Sequence, residues 1–181
     1  MTRREGARTR FRDYWETVGR EPQGEGELLL SPVLEGALPP RAVQVYLPAG
    51  YRAGRDRFPV LFLHDGQNLI DPATAFIRSW HVERALDRHA RDGAPVIAVA
   101  IPNSGVRRVH EYAPFRDRRY GGGGGVAYLD WLLGTVQPLI EKNFRVARGR
   151  ETTAIAGASM GGLISLLPTP AFRSTSASSA A

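Results

Sequence analysis

Gly157-Ala158-Ser159-Met160-Gly161 is a G-x-S-x-G pentapeptide. The chemistry this spacing permits is nucleophilic attack by a serine held on a sharp turn. Such a serine adopts a strained backbone conformation, so the positions two before and two after it must lack a Cβ that would clash. Both are glycine. The pentapeptide follows a short apolar stretch, Thr152–Ala156, and opens another, Gly162–Leu167. A strand before and a helix after hold the Ser159 hydroxyl clear of the backbone. The amide of Met160, first in that helix, then points to where an oxyanion would form. The competing reading is a glycine-rich strand-to-helix turn with an inert serine.

A second cluster, His64-Asp65-Gly66-Gln67-Asn68, follows directly on the apolar run Pro59–Leu63. Gly66 lets the backbone turn there. Histidine beside aspartate also admits a metal or acid–base reading. However, successive side chains diverge at a strand end, and no further ligands are spaced for a metal, so neither metal nor cofactor is expected. Arg107, Arg108 and Glu111 could orient a substrate carboxylate or form a surface ion pair, and the ion pair is the favoured reading. Asp65, Arg108 and Glu111 are retained as candidate substrate-binding residues. Trp80 and Trp131 read as packing residues. The five glycines 121–125 lack the Lys-Ser/Thr that a phosphate loop requires, and they read as a mobile rim loop.

These residues need elements to position them. Pro59–Leu63 and Pro95–Ile101 are continuous apolar runs, suited to strands buried on both faces. Glu27–Leu34 and Arg41–Pro48 are strand-like, and the second alternates, with Val43, Val45 and Leu47 on one face and Gln44 and Tyr46 on the other. Residues 79–91 have helical periodicity, with Ser79 as the expected N-cap. Val126–Ile140 is also helical, and Pro138 is expected to kink or end it. Thr152–Ala156 is a third, short apolar strand. Strands alternating with helices predict an α/β architecture, mostly parallel, with an antiparallel N-terminal strand pair and flanking helices.

The chain has 181 residues, 43% of them apolar and 23% charged, as expected for one globular domain or a large piece of one. No apolar run approaches the ~20 residues of a membrane span. With no cysteine, a disulfide scaffold, a thiolate metal site and a cysteine nucleophile are all excluded. The net charge of +6 rests on arginine, since Lys142 is the only lysine. Residues 1–26 read as a polar, basic N-terminal arm; Arg3, Arg4, Arg8, Arg10, Arg12 and Arg20 fall within it. A basic arm can bind phosphate backbones, but no recognised nucleic-acid motif accompanies it, so a solvated arm is the favoured reading. No apolar core follows the basic residues as a secretory signal would require, and a cytoplasmic location is expected.

Several of these segments together resemble a known family. They are Pro59–Asp71 with Pro72–Phe76, Arg108–Pro114, Tyr120–Gly125 before Tyr128–Trp131, and Ile155–Gly162. In order and spacing they resemble the putative-esterase branch of the α/β-hydrolases, which includes esterase D-like and enterochelin-esterase-like enzymes and the mycolyltransferases. The resemblance runs over roughly 41–166. It implies an α/β-hydrolase fold, Ser159 as nucleophile, and carboxylic-ester cleavage of a small molecule through an acyl-enzyme. The fold takes its second oxyanion donor from the loop after the third strand, which makes the Gln67 amide the candidate beside that of Met160.

One departure stands out. That fold places an acid and then a histidine after the nucleophile, and residues 160–181 contain no Asp, Glu or His. The expectation is therefore a truncated hydrolase domain over 27–167, followed by a low-complexity, disordered tail over 168–181. Its activity should be impaired, and its exposed sheet edge should favour self-association. A non-catalytic binding remnant and an acyltransferase share the same residues and stand as alternatives.

Overall fold

In a computed structural model of the chain, residues 15–17, 24–76 and 78–167 are described. The strands are β1 (Glu16–Thr17), β2 (Glu27–Leu30), β3 (Gln44–Leu47), β4 (Val60–His64), β5 (Ile97–Ile101), β6 (Arg116–Asp117), β7 (Gly121–Gly122) and β8 (Thr153–Ala156). The helices are α1 (Val82–Arg91), α2 (Arg108–Tyr112), α3 (Gly125–Trp131), α4 (Gln137–Asn143) and α5 (Met160–Ser165).

Six strands form one mixed sheet in the order β1-β2-β3-β5-β4-β8, and β6 pairs with β7 in a separate hairpin. The β1-β2-β3-β5 ladder is antiparallel. β4 lies parallel between β5 and β8, with Leu63 opposite Ala100 on one side and Ala156 on the other. This is an incomplete α/β-hydrolase fold: an antiparallel N-terminal part, a parallel part and flanking helices.

Both faces of the sheet are covered, which explains the continuous apolar runs. Val45, Leu47, Phe62, Val99 and Ile101 pack with Tyr128, Leu132, Val136 and Ile140 on one face. Tyr46, Leu63, Ala98 and Ala100 pack with Leu69, Ile70 and Leu86 on the other. The alternation along β3 therefore separates two buried faces, and all four of its residues are buried. On the second face the Tyr46 hydroxyl donates to Asp87 Oδ1 at 2.5 Å and accepts the Gly26 N–H at 2.8 Å, fastening α1 and the segment before β2 to the sheet.

Four local expectations need correction. Ser79 does not cap α1; the cap is His81 in the left-handed region (φ 52°). The Ser79 hydroxyl instead donates to the Ile70 carbonyl at 2.9 Å and tethers the approach to the helix. Pro138 does not end its helix, which runs on to Asn143. A π-helical turn over Leu132–Val136 precedes it directly, and the helix continues from there into α4, with Pro138 in its first turn. The glycine run 121–125 is no free loop: the N–H groups of Gly123 and Gly125 donate to the Ala113 carbonyl and that of Gly124 to the His110 carbonyl. A Cβ at Gly122 would lie 2.6 Å from that of Ala113, so close packing demands glycine there. Within the expected basic arm, Trp15 is buried edge-on against Phe144, and β1 extends the sheet. Residues 1–14 and 18–23 of that arm and the tail 168–181 lie outside the described residues.

Candidate active site

The chain leaves β4 for β5 on one side and later returns to β8 on the other. A crevice opens at the carboxyl ends of parallel strands where such a reversal occurs, between loops diverging to opposite sides. Here the loops after β4 (65–68), β5 (102–108) and β8 (157–159) meet around a cavity of about 770 Å³. Asp65, Gln67, Asn103, Arg108 and Ser159 line it together with the apolar side chains of Phe76, Trp80 and Val106.

Ser159 has φ 54° and ψ −121°, a strained conformation for a residue with a Cβ, between the end of β8 and the start of α5. The flanking glycines are required by contact. A Cβ on Gly157 would lie 2.7 Å from the Gly161 carbonyl carbon, and one on Gly161 would lie 3.1 Å from His64 Cβ and 3.2 Å from Asp65 Oδ2. The turn is thus closed on itself and pressed against the end of β4.

Across the cavity, Asp65 also adopts a left-handed conformation (φ 59°) and starts a 3₁₀ turn over Gly66–Asn68. Gly66 packs on β5: a Cβ there would lie 2.4 Å from the Ala100 carbonyl carbon. The N–H groups of Asn68 and Leu69 donate to Asp65 and Gly66, and those of Gly161 and Leu163 to Ala158 and Ser159. The N–H groups of Gln67 and Met160 have no such acceptor among the described residues. Among the described residues these two N–H groups, one in the turn after β4 and one at the start of α5, have no backbone acceptor outside their own elements.

Asp65 and Arg108 meet. Arg108 Nε donates to Oδ1 at 2.7 Å and Nη2 to Oδ2 at 2.8 Å, a bidentate pair, and Asn103 Nδ2 adds a third bond to Oδ1 at 2.6 Å. Hydrogen bonding to Asp65 raises the Arg108 pKa above its ordinary value, against the effect of burial. Glu111 does not join them. Its carboxylate is buried beneath the site and takes both arms of Arg41, one of them at 2.8 Å, while Arg41 also stacks on Trp131 at 5.3 Å. The expected surface pairing of Glu111 is therefore a buried one, and Glu111 does not line the cavity. Trp131 packs as expected. Trp80 does not: it is 57% exposed and forms part of the cavity wall.

His64 and Asp65 diverge, as the strand end requires. His64 is 1% exposed and its Nδ1 lies 2.8 Å from the Tyr128 hydroxyl. Its Nε2 is buried and without a hydrogen-bond partner among the described residues. Desolvation, helped by the charge of Arg108 and opposed by that of Asp65, lowers its pKa to about 4, so it is neutral at pH 7. Burial likewise pushes Tyr112 and Tyr128 up. No histidine is among the described residues lining the cavity. Among the described residues no group of His, Cys, Asp and Glu could hold a metal ion, and no helix is long and apolar enough to cross a membrane.

Asn103 escaped the sequence reading. Its signal was available: Pro102-Asn103-Ser104-Gly105 is a turn at the carboxyl end of a buried strand, where ligand-contacting residues collect.

Ser159 thus sits in a strained turn between a parallel strand and a helix and faces two loops at the reversal of strand order. Residues 39–171 match the model of the family described as Putative esterase, and the chain belongs to that family. It is 30% identical over 132 residues to the uncharacterised protein YbbA of Bacillus subtilis (strain 168), which covers 70% of this chain and 49% of that protein. It is likewise 30% identical over 137 residues to a siderophore triacetylfusarinine C esterase of Aspergillus fumigatus, covering 70% and 45%. Among solved structures, an IroE-like serine hydrolase from Shewanella oneidensis superposes with a TM-score of 0.59 at 25% identity, over 77% of this chain and 44% of that one. The chain spans about half the length of the relatives it matches.

Proposed function

We propose that the chain carries the nucleophile and oxyanion half of a serine-dependent carboxylic-ester hydrolase acting on small-molecule esters. In this reading Ser159 Oγ attacks the ester carbonyl carbon, and the carbonyl π electrons move onto oxygen. The anion is received by the N–H groups of Gln67 and Met160. Collapse of the tetrahedral intermediate breaks the bond to the leaving oxygen, which takes up the proton lost by the serine hydroxyl and departs as the alcohol; the acyl-serine that remains is then hydrolysed by water. The observation that carries this is the strained Ser159 opening on the same cavity as Gln67, with no backbone acceptor outside their own elements for the Gln67 and Met160 amides among the described residues. Membership of an esterase family and a siderophore esterase among the relatives support a small-molecule ester substrate.

The mechanism also needs a base, and none of the histidines lining up in sequence reaches the cavity wall. With the described residues alone, catalysis falls to what an oxyanion hole and binding supply, about 10³–10⁴-fold over water. Turnover of p-nitrophenyl acetate is accordingly expected to stay below about 1 s⁻¹, under the ordinary enzyme range. A fluorophosphonate probe with peptide mass spectrometry tests the nucleophile: the adduct is expected on Ser159 and lost in Ser159→Ala. Labelling that persists in Ser159→Ala, or none in the parent chain, would favour a binding remnant in its place.

A further inference from the structure

We propose that Asp65 and Arg108 act as a positioning pair for the oxyanion-binding loop and do not serve as a substrate anchor; this rests on the ester-cleaving reading above. An anchor for a substrate anion needs a free cationic fork. The Nε–Nη2 edge of Arg108 is already taken by the Asp65 carboxylate, which matches its charge, and the guanidinium lies 5.2 Å from the Tyr112 ring. Charge on this wall is therefore neutralised internally, and the rest of the cavity offers Phe76, Trp80 and Val106.

What the pair does hold is the loop. The Asp65 carboxylate receives three hydrogen bonds, and its own N–H donates to the Tyr112 hydroxyl at 3.2 Å. Asn103, tied to that carboxylate through Nδ2, donates its backbone N–H to the Gln67 side-chain Oε1 at 3.1 Å. Its Oδ1 accepts the Gly105 N–H at 2.8 Å. Gln67 is thereby fixed from both sides: through the left-handed turn at Asp65 and through its own side chain. Loops after β4 and β5 become one rigid wall.

The pair has an electrostatic task as well. Asp65 Oδ2 lies against the first turn of α5, within 3.2 Å of the Cβ position of Gly161. An unpaired carboxylate there would repel the anion forming beside Ser159. Arg108 cancels it. Removing Arg108 should therefore weaken binding of an anionic tetrahedral species far more than binding of a neutral ligand.

Phenylboronic acid and benzamide separate these two cases without any need for turnover. The Ser159 oxygen donates a lone pair to boron and its proton passes to solvent, giving a tetrahedral adduct with one negative charge. Benzamide is neutral and of similar shape. Arg108→Met is expected to weaken the boronate about 100-fold, the scale of a displaced oxyanion donor, while benzamide affinity changes less than about threefold. The double variant Asp65→Asn/Arg108→Met buries no unpaired charge, so it is expected to fold and to regain part of the boronate affinity. Equal losses for both probes would mean that Arg108 only shapes the cavity and would overturn the proposal. So would an unchanged boronate affinity in Arg108→Met, or a double variant no better than the single one. Tetrahedral boron seen by ¹¹B NMR in the parent chain and lost in Ser159→Ala is the reference. Its absence from the parent chain would overturn the esterase reading itself, a result distinct from any failure of the Arg108 variants.

Discussion

Acidifying the protein from pH 7.5 to pH 5 should destabilise the fold through His64. The folded state holds this imidazole neutral with a pKa of about 4, against 6.5 in the unfolded chain. Below pH 6.5 the unfolded state binds more protons than the folded one, so stability is full above 6.5 and declines as the pH falls towards 4. Below 4 both states are protonated and the loss stops growing. For a single site with these two constants, the loss is about 2 kcal/mol at pH 5 and about 3 kcal/mol at its limit, at 1.36 kcal/mol per pKa unit. The full value applies because the ring is 1% exposed and lies inside the aromatic cluster of Tyr112 and Tyr128. Carboxylates titrate nearby in pH, so the assay is a difference of differences. Urea unfolding at pH 7.5 and 5.0 is measured for the parent chain and for His64→Asn, which keeps a polar atom near the Nδ1 position. The parent should lose about 2 kcal/mol more than the variant on acidification. Equal pH dependence in the two proteins would refute the reasoning, because it would mean that His64 titrates alike in the folded and unfolded states.

Two further perturbations follow from close contacts. Gly157→Ala forces a Cβ to within 2.7 Å of the Gly161 backbone, which cannot move without moving the serine turn. A stability loss of about 2 kcal/mol is expected, with fluorophosphonate labelling at Ser159 reduced at least about tenfold, since a small displacement of a reacting group has effects of that order; unchanged labelling would contradict the closed turn. Glu111→Gln leaves the buried Arg41 guanidinium without its carboxylate and should cost about 3 kcal/mol or more in urea unfolding. A loss below about 1 kcal/mol would place that pair in solvent.

How legible the molecule was depended on the range of the interactions. β4 and β5 were visible because burial on both faces writes itself as an unbroken apolar run; β8, at the sheet edge with Ala154 exposed, shows only as a short apolar stretch before the serine turn. The serine turn was visible because its glycines are local requirements. The position of β8 beside β4 was not written in either segment, since pairing partners so far apart leave no local trace. Ser79 looked like a cap because a hydroxyl before an amphipathic stretch usually is one; the carbonyl of Ile70, brought near by the fold, took it instead. Arg108 and Glu111 are three apart on one short helix, the spacing of an ion pair, yet each found a partner from another element, Asp65 and Arg41. The glycines 121–125 looked flexible because nothing in composition reports that Ala113 and His110 sit against them.

The position of β8 governs the order in which the site can come into being. Strands β4 and β5 are separated by one helix and can pair while the chain is still being made. β8 joins the far side of β4 only after roughly 50 residues beyond β5 have been translated, and the loop it closes back to β4 is roughly 90 residues long, a slow kind of contact. Until it docks, the wall bearing Gln67 faces water with no serine opposite. A ribosome-bound nascent chain would therefore acquire its sheet first and its reactive group last, and protease protection of Phe62 would precede that of Ile155.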